Sequence, residues 1–135
     1  MLKDFISGIA DNSSDDYWYD EGLIWYQKMA DGFSDEEWAE LSEMIGGYPA
    51  NAQIRCAECL SGSDNRNSLS VILRISKTYD RELFVTCVDS LRNMDLSSLS
   101  HSEKARISHK IKEYSADASS LESIVFKAFL DAVRY

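Results

Sequence analysis

The sequence contains a single proline, Pro49, and only six glycines in 135 residues. Folds built from many short strands need both residue types at their turns, so their scarcity argues against an all-β protein. No apolar run approaches the roughly 18 residues that a membrane-spanning helix requires. The first residues include Lys3 and Asp4 and only a broken apolar stretch, which is unlike a secretory signal. We therefore expect a helical protein with neither a secretory signal nor a membrane span.

Cysteine is also scarce, and its three copies give no disulfide framework, which is typical of a reducing compartment and predicts a cytoplasmic protein. Cys56 and Cys59 form a Cys-Ala-Glu-Cys motif that suggests a zinc or redox site, with Cys87, His101 and His109 as further ligands. Their spacing matches no zinc signature, and a thioredoxin-like motif follows a strand. Because free cysteine is commonly buried, we interpret all three as core residues and predict no metal or other cofactor.

Basic residues are few in one third of the chain. The net charge is −9, and residues 11–43 contain eleven acidic side chains against Lys28 alone, whereas the rest is nearly neutral. Such a field repels nucleic acid and anionic membranes, and it speeds encounter with a cationic protein. We therefore predict no nucleic-acid or membrane partner. Solubility is the alternative explanation of the acidity.

What the sequence does contain is helical spacing of apolar residues along almost its whole length. Ser34 followed by Glu37 is a capping box, which predicts that a helix begins there. A length of 135 residues is typical of one domain, so we predict a single all-α domain over residues 1–135 with about seven to eight helices. The predicted helices cover residues 2–10, 15–30, 34 to the Gly-Gly-Tyr-Pro stretch, 50–60, 66–77, 81–93, 102–114 and 121–133.

Residues 34–64 and 65–95 show a weak internal repeat with a period of 31. The matched apolar pairs are Trp38 with Leu69, Leu41 with Ile72, Tyr48 with Tyr79, Cys56 with Cys87 and Leu60 with Leu91. Each unit is a pair of antiparallel helices, which stabilise one another only by stacking. The predicted fold is therefore a stack of antiparallel hairpins at 34–64, 65–95 and 100–135, preceded by an acidic, aromatic-rich part at 11–43.

The sequence DRELFVTCVDSLRNM, residues 80–94, resembles the second helix of a HEAT-like repeat, with Leu83, Cys87, Ser90, Leu91 and Met94 at its apolar and small positions. With the segment FSDEEWAEL, residues 33–41, the chain resembles small acidic bacterial immunity proteins. Such proteins neutralise a cognate toxin delivered between competing cells. The resemblance covers residues 33–95 and implies a HEAT-like fold and a basic toxin protein as the partner.

Residues 16–30 carry one apolar stripe when they are drawn as a helix with about 100° per residue. The stripe contains Trp18, Gly22, Trp25 and Met29, flanked by Tyr19, Leu23, Tyr26 and Ala30. We predict that it faces the core, as aromatic stripes usually do. On the opposite side Tyr17 and Ile24 lie among Asp16, Asp20 and Glu21. This second face is a candidate contact surface.

The next predicted helix repeats the arrangement. Trp38, Leu41 and Ile45 form its apolar stripe, and the opposite face carries Glu36, Glu40 and Glu43, with Glu37 at the edge. Like charges spaced by four residues cost a few tenths of a kcal/mol per pair. No interaction within the predicted fold offsets most of that repulsion, whereas binding to a basic partner would offset it.

The sequence thus predicts an inhibitor that occludes a cationic toxin. Its partner-binding residues are predicted to be Asp16, Tyr17, Asp20, Glu21, Ile24, Glu36, Glu37, Glu40 and Glu43. No residue is predicted to be catalytic. One alternative is a helical-repeat adaptor that holds another protein on its concave surface, and a second is a small enzyme that depends on a cofactor.

Overall fold

A computed structural model describes residues 1–61, 63 and 65–134, and within these ranges the chain forms eight helices and no strand. The predicted all-α fold of helical hairpins is confirmed. Asp64 and Tyr135, which end two of the predicted hairpins, lie outside the described residues. Among the helices of the described ranges, none is long and apolar enough to cross a bilayer.

Six of the eight helices in the described ranges begin at a short polar side chain that caps them, whereas those that begin at Leu2 and Ala50 have no side-chain cap. Ser14, Ser34, Asn65, Asp80, Ser100 and Ser119 each accept a hydrogen bond from a backbone N–H of the first turn. The predicted capping box of Ser34 and Glu37 is confirmed. The helices are α1 (Leu2–Ile9), α2 (Asp15–Tyr17, continued by Trp18–Gly22 and Leu23–Asp31), α3 (Asp35–Met44), α4 (Ala50–Leu60), α5 (Arg66–Ile75), α6 (Arg81–Leu91), α7 (His101–Ser115) and α8 (Ser120–Val133).

The helices are arranged in two layers. Helices α2, α4, α6 and α8 pack side by side, and we call them the even layer. In the second layer α3 packs on α5, and Arg106 of α7 donates hydrogen bonds to Ser76 Oγ (2.8 Å) and to the Leu73 carbonyl (3.3 Å) at the end of α5. Helix α1 packs against α2 and α4. One continuous apolar core runs between the layers, from Leu2 to Phe129.

Both halves of the repeat contribute to this core. The positions of Leu41 and Ile72, Cys56 and Cys87, and Leu60 and Leu91 are buried in both units. Tyr79 is the exception, because it is 97% exposed in the turn before α6. Cys59 is buried with the other two thiols, as predicted, and burial raises the pKa of all three. Neutral, enclosed thiols pack as small apolar groups.

Helix α2 is not a regular α-helix. Residues Trp18–Gly22 form a π-helical turn, in which the backbone N–H of Leu23 bonds to the carbonyl of Trp18, five residues earlier. A π turn accommodates one extra residue, so the side chains that follow are shifted by one position around the axis. The inward stripe becomes Trp18, Gly22, Tyr26 and Ala30. Tyr26 stacks on Trp18 with a centroid distance of 6.0 Å.

Part of the core predicted for this helix is wrong. Trp18 is buried, but Trp25 is 64% exposed and Tyr19 is also exposed, so these two were wrongly predicted to face the core. The cause is tertiary packing. The ring of Tyr26 lies against Gly8 of α1 so closely that a Cβ at Gly8 would overlap it. Tyr26 thereby takes the inward position that an uninterrupted α-helix gives to Trp25.

A salt-bridge cluster joins α6 to the start of α8. The guanidinium of Arg81 donates to both carboxylate oxygens of Glu122 at 3.1 Å and to Asp117 Oδ1 at 3.0 Å. The hydrogen bonds from Arg81 lower the pKa of Glu122 from 4.5 to about 2. A depressed acid pKa contributes stability that is complete above the unfolded-state value and is lost as the pH falls through the folded-state value.

We therefore expect the melting temperature to fall as the pH is lowered from about 4.5 to about 2, with Glu122 contributing part of the fall. Thermal unfolding of the wild type and of Glu122→Gln across this range measures the contribution, and the variant should show the shallower dependence. Glu113→Gln, which changes an exposed carboxylate of α7, serves as the control. If the wild-type and Glu122→Gln curves run parallel, the carboxylate does not have the inferred role.

Candidate functional site

The exposed side of α2 combines rings and carboxylates. Tyr17 and Ile24 are exposed among acidic residues, as the helical wheel indicated. The π turn adds Trp25 to the same side. We call this surface the α2 face, and it consists of Asp16, Tyr17, Asp20, Glu21, Ile24 and Trp25.

An open cleft between α1 and α2 adjoins the α2 face. Trp25, Tyr26 and Met29 form one wall of this cleft, whose volume is about 600 Å³. Asp4 and Asp11, both exposed, stand on the α1 side. An exposed indole next to two carboxylates suits a lysine or arginine side chain, which can pair with a carboxylate and lie over the ring.

The second acidic set lies on another part of the molecule. Glu36, Glu40 and Glu43 are exposed on α3, and we call them the α3 face. Helix α3 packs on α5, whereas α2 belongs to the even layer. The acidic residues that the sequence groups together therefore belong to two layers, and we treat them as separate surfaces.

Glu37 differs from the other predicted binding residues, because its carboxylate is engaged within the chain. It accepts hydrogen bonds from the backbone N–H of Leu2 at 2.9 Å and of Ser34 at 3.0 Å. The bond from Ser34 is the main cause of the lowered pKa of Glu37, followed by the bond from Leu2. Glu37 thus caps α3 and ties it to α1, and we leave it out of the candidate surface.

Arg55, on α4, positions the start of α2. Its guanidinium is buried and donates to the carbonyl of Asp11 (3.1 Å), to Ser13 Oγ (2.9 Å) and to the Ser13 carbonyl (2.8 Å). It also pairs with Asp15 at 3.5 Å and lies 4.9 Å from the ring centroid of Trp18. These contacts fix the α1–α2 loop. They could not be predicted from local sequence patterns, because they span about forty residues.

A groove of about 660 Å³ runs across the even layer. Apolar side chains from three helices line it, namely Leu23 of α2, Val85 of α6, and Leu121 and Val125 of α8. Glu58 of α4 lies between them, and the groove also contains charged and hydroxyl groups of α6 and α8. Leu121 is 73% exposed at the rim.

Glu58 is a partly buried carboxylate held by two aromatic side chains. Trp18 Nε1 donates to Oε1 at 3.2 Å, and the hydroxyl of Tyr19 donates to Oε2 at 2.8 Å. Burial raises the pKa of Glu58, and burial followed by the bond to Glu58 raises the pKa of Tyr19 to about 12. No lysine or arginine in the part of the chain that the structure describes forms an ion pair with Glu58, and Arg55 acts on it only at longer range.

No protein-family model, curated protein or solved structure matches the chain. Within residues 1–61, 63 and 65–134, no group of three His, Cys, Asp or Glu side chains is placed to hold a metal ion. The features that stand out are exposed rings next to carboxylates and a groove with an unpaired acid. Exposed aromatic side chains are enriched in surfaces that bind other proteins.

Proposed function

We propose that the protein binds a basic protein through the α2 face and the adjoining cleft and thereby inhibits it. This is the role of the immunity proteins that the sequence resembles, for which the basic partner is a toxin. The observation that carries the proposal is the exposure of Trp25 beside Ile24 among carboxylates. We expect the protein to act in the cytoplasm, where free thiols such as Cys56 persist.

The exposed rings supply the apolar part of such an interface. Burying a large apolar side chain stabilises a fold or a complex by about 1.5 to 3 kcal/mol. Trp25 and Ile24 leave that stabilisation unused in the isolated chain, and a partner that covers them gains it. Tryptophan is also enriched among the residues that dominate measured binding energies.

The carboxylates supply the selectivity for a basic partner. Asp16, Asp20 and Glu21 surround the exposed rings, and Asp4 and Asp11 lie on the other side of the cleft. Complementary charge steers a cationic protein to this surface and raises the association rate, most strongly at low salt. Anionic proteins and nucleic acids are repelled by the same field.

An adaptor is the second candidate, and the groove of the even layer favours it because the groove offers a separate contact surface on several helices. The two candidates differ in what happens to the bound protein. An inhibitor abolishes its activity, whereas an adaptor leaves the activity unchanged.

The test begins with capture of basic proteins from the source cells at low and at high salt, identification by mass spectrometry, and purification of the partner. We expect that neutralising the acids of the α2 face, by Asp16→Asn, Asp20→Asn and Glu21→Gln together, slows association with the purified partner about tenfold at low salt. Stopped-flow fluorescence or surface plasmon resonance measures the association rate. Partner activity, assayed with and without the protein, separates inhibitor from adaptor.

The α3 face provides a matched control. Glu36→Gln, Glu40→Gln and Glu43→Gln together remove the same number of charges from a helix of the other layer. This variant should associate at close to the wild-type rate. Equal slowing by the two triple variants would mean that net charge alone matters and would overturn the proposed role of the α2 face.

A further inference from the structure

The groove of the even layer has one acid whose charge is not balanced by an ion pair. Asp89, also in the groove, pairs with Arg92 at 2.6 Å, and Glu122 pairs with Arg81. Glu58 forms no such pair among the described residues. The groove therefore presents one excess negative charge at Glu58.

Glu58 also retains acceptor capacity. A carboxylate offers about four lone-pair directions, and the bonds from Trp18 and Tyr19 occupy one on each oxygen. The two donors hold the carboxylate in one orientation. A cation that enters the groove would thus meet a carboxylate that is already positioned.

The walls of the groove suit the stem of a long cationic side chain. Leu23, Val85 and Val125 line it, and the methylene groups of lysine and arginine pack well on such apolar surface while the charged head reaches an acid. A second hollow of about 400 Å³, lined by Asp11, Asp15 and other polar residues, adjoins Glu58 on its other side. This hollow also contains Arg55, whose positive charge offsets the negative charge of Asp15, so the groove itself, and not the hollow, is the candidate cation site.

We infer that the groove of the even layer receives a lysine or arginine side chain from the basic partner, with Glu58 as its ion-pair acceptor. The inference rests on the proposed function, because it assigns a second contact to the same partner. The location fits, since α2 carries Ile24 and Trp25 on its exposed face and Leu23 and Gln27 in the groove. A protein seated on the α2 face therefore has the groove within reach of a neighbouring loop or helix.

The experiment is a nuclear magnetic resonance titration that needs no natural partner. The probe is a capped tripeptide, acetyl-Leu-Arg-Leu-amide, and its neutral counterpart has norleucine in place of arginine. With the arginine peptide we expect saturable shifts of the backbone amides of Ser61, Val85 and Leu121. The neutral peptide should bind at least tenfold more weakly.

Two variants locate the charge. Glu58→Gln removes the negative charge and should weaken binding of the arginine peptide at least tenfold. The amide oxygen of the glutamine can still accept from Trp18 Nε1, and its NH₂ group can donate to the hydroxyl oxygen of Tyr19. Glu82→Gln removes an exposed carboxylate from the adjoining hollow and should change the affinity less than twofold. Because the pKa of Glu58 is raised by burial, its neutralisation should not lower the melting temperature.

Several results would overturn the inference. Equal binding of the two peptides to the wild-type protein would be sufficient. Amide shifts confined to the α2 face, or an unchanged affinity of Glu58→Gln for the arginine peptide, would also overturn it. Failure of the proposed function is distinguishable, because it would appear as an unaltered association rate in the α2-face triple variant. If that variant slows association while Glu58→Gln leaves the partner's affinity unchanged, the groove assignment is wrong and the proposed function stands.

Discussion

Trp25→Ala is expected to weaken binding of the basic partner by about 30-fold to 1,000-fold, which corresponds to about 2 to 4 kcal/mol. Residues whose truncation to alanine costs this much binding free energy are most often tryptophan, tyrosine or arginine near the centre of an interface. Trp25 meets that description, since it belongs both to the α2 face and to the wall of the cleft that contains Asp4 and Asp11. Isothermal titration calorimetry with the purified partner measures the loss.

The same substitution should leave the fold intact. Trp25 is largely exposed, so its truncation removes little apolar contact from the folded chain, and surface substitutions usually change stability by less than about 0.5 kcal/mol. Thermal unfolding checks this expectation. A loss of affinity without a loss of stability would then be assigned to contact with the partner.

Tyr79 offers a matched control for the tryptophan. It is an exposed aromatic residue as well, but it lies in the turn before α6, where its ring centroid is 5.7 Å from Lys110 Nζ of α7, and it is not part of the α2 face. Tyr79→Ala should therefore bind the partner as the wild type does. An unchanged affinity in Trp25→Ala, or an equal loss in Tyr79→Ala, would contradict the assignment of the α2 face as the interface.

Much of the fold could be predicted from the sequence because its signals are local. The spacing of Trp38, Leu41 and Ile45 predicted the buried stripe of α3, and Ser34 with Glu37 predicted where α3 begins. Such patterns depend on the geometry of one helix, which the sequence specifies within a few residues. Eight helices with short polar connections then allow few arrangements other than stacked hairpins.

The π turn could not be predicted in this way. Whether Tyr26 or Trp25 points inward is decided by contact with Gly8, a residue of another helix. A helical wheel assumes an uninterrupted 3.6-residue period, and one inserted residue invalidates it for the rest of the helix. The most prominent candidate for binding, Trp25, was therefore assigned to the core by the sequence.

Long-range polar contacts were missed for a related reason. Arg55 reaches Asp11 and Ser13, and Glu58 reaches Trp18 and Tyr19, over about forty residues in each case. Both residues lie one helical turn apart on α4, where the sequence drew attention only to the cysteines. Charged residues on a helix are usually solvated, so only the packing of α4 against α2 distinguishes these two.

The importance of Arg55 leads to the largest expected effect on stability. Arg55→Met should lower the free energy of unfolding by about 2 to 4 kcal/mol, because it removes three hydrogen bonds from a buried charged donor and leaves its acceptors without it. Urea unfolding measures the loss. Hydrogen exchange should also accelerate at residues 11–17, since the guanidinium bonds the α1–α2 loop and pairs with Asp15.

Two further substitutions distinguish the effect of the hydrogen bonds of Arg55 from the effect of its positive charge. Arg55→Lys keeps the charge but cannot donate in the same fork, so it should recover only part of the lost stability. Arg92→Met removes an arginine whose partner, Asp89, is three residues away on the surface, and such a pair contributes about 1 kcal/mol or less. If Arg55→Met were no more destabilising than Arg92→Met, the buried guanidinium would not be what holds α2 in place. The position of α2 would then have to depend on its other contacts, such as that between Tyr26 and Gly8 of α1.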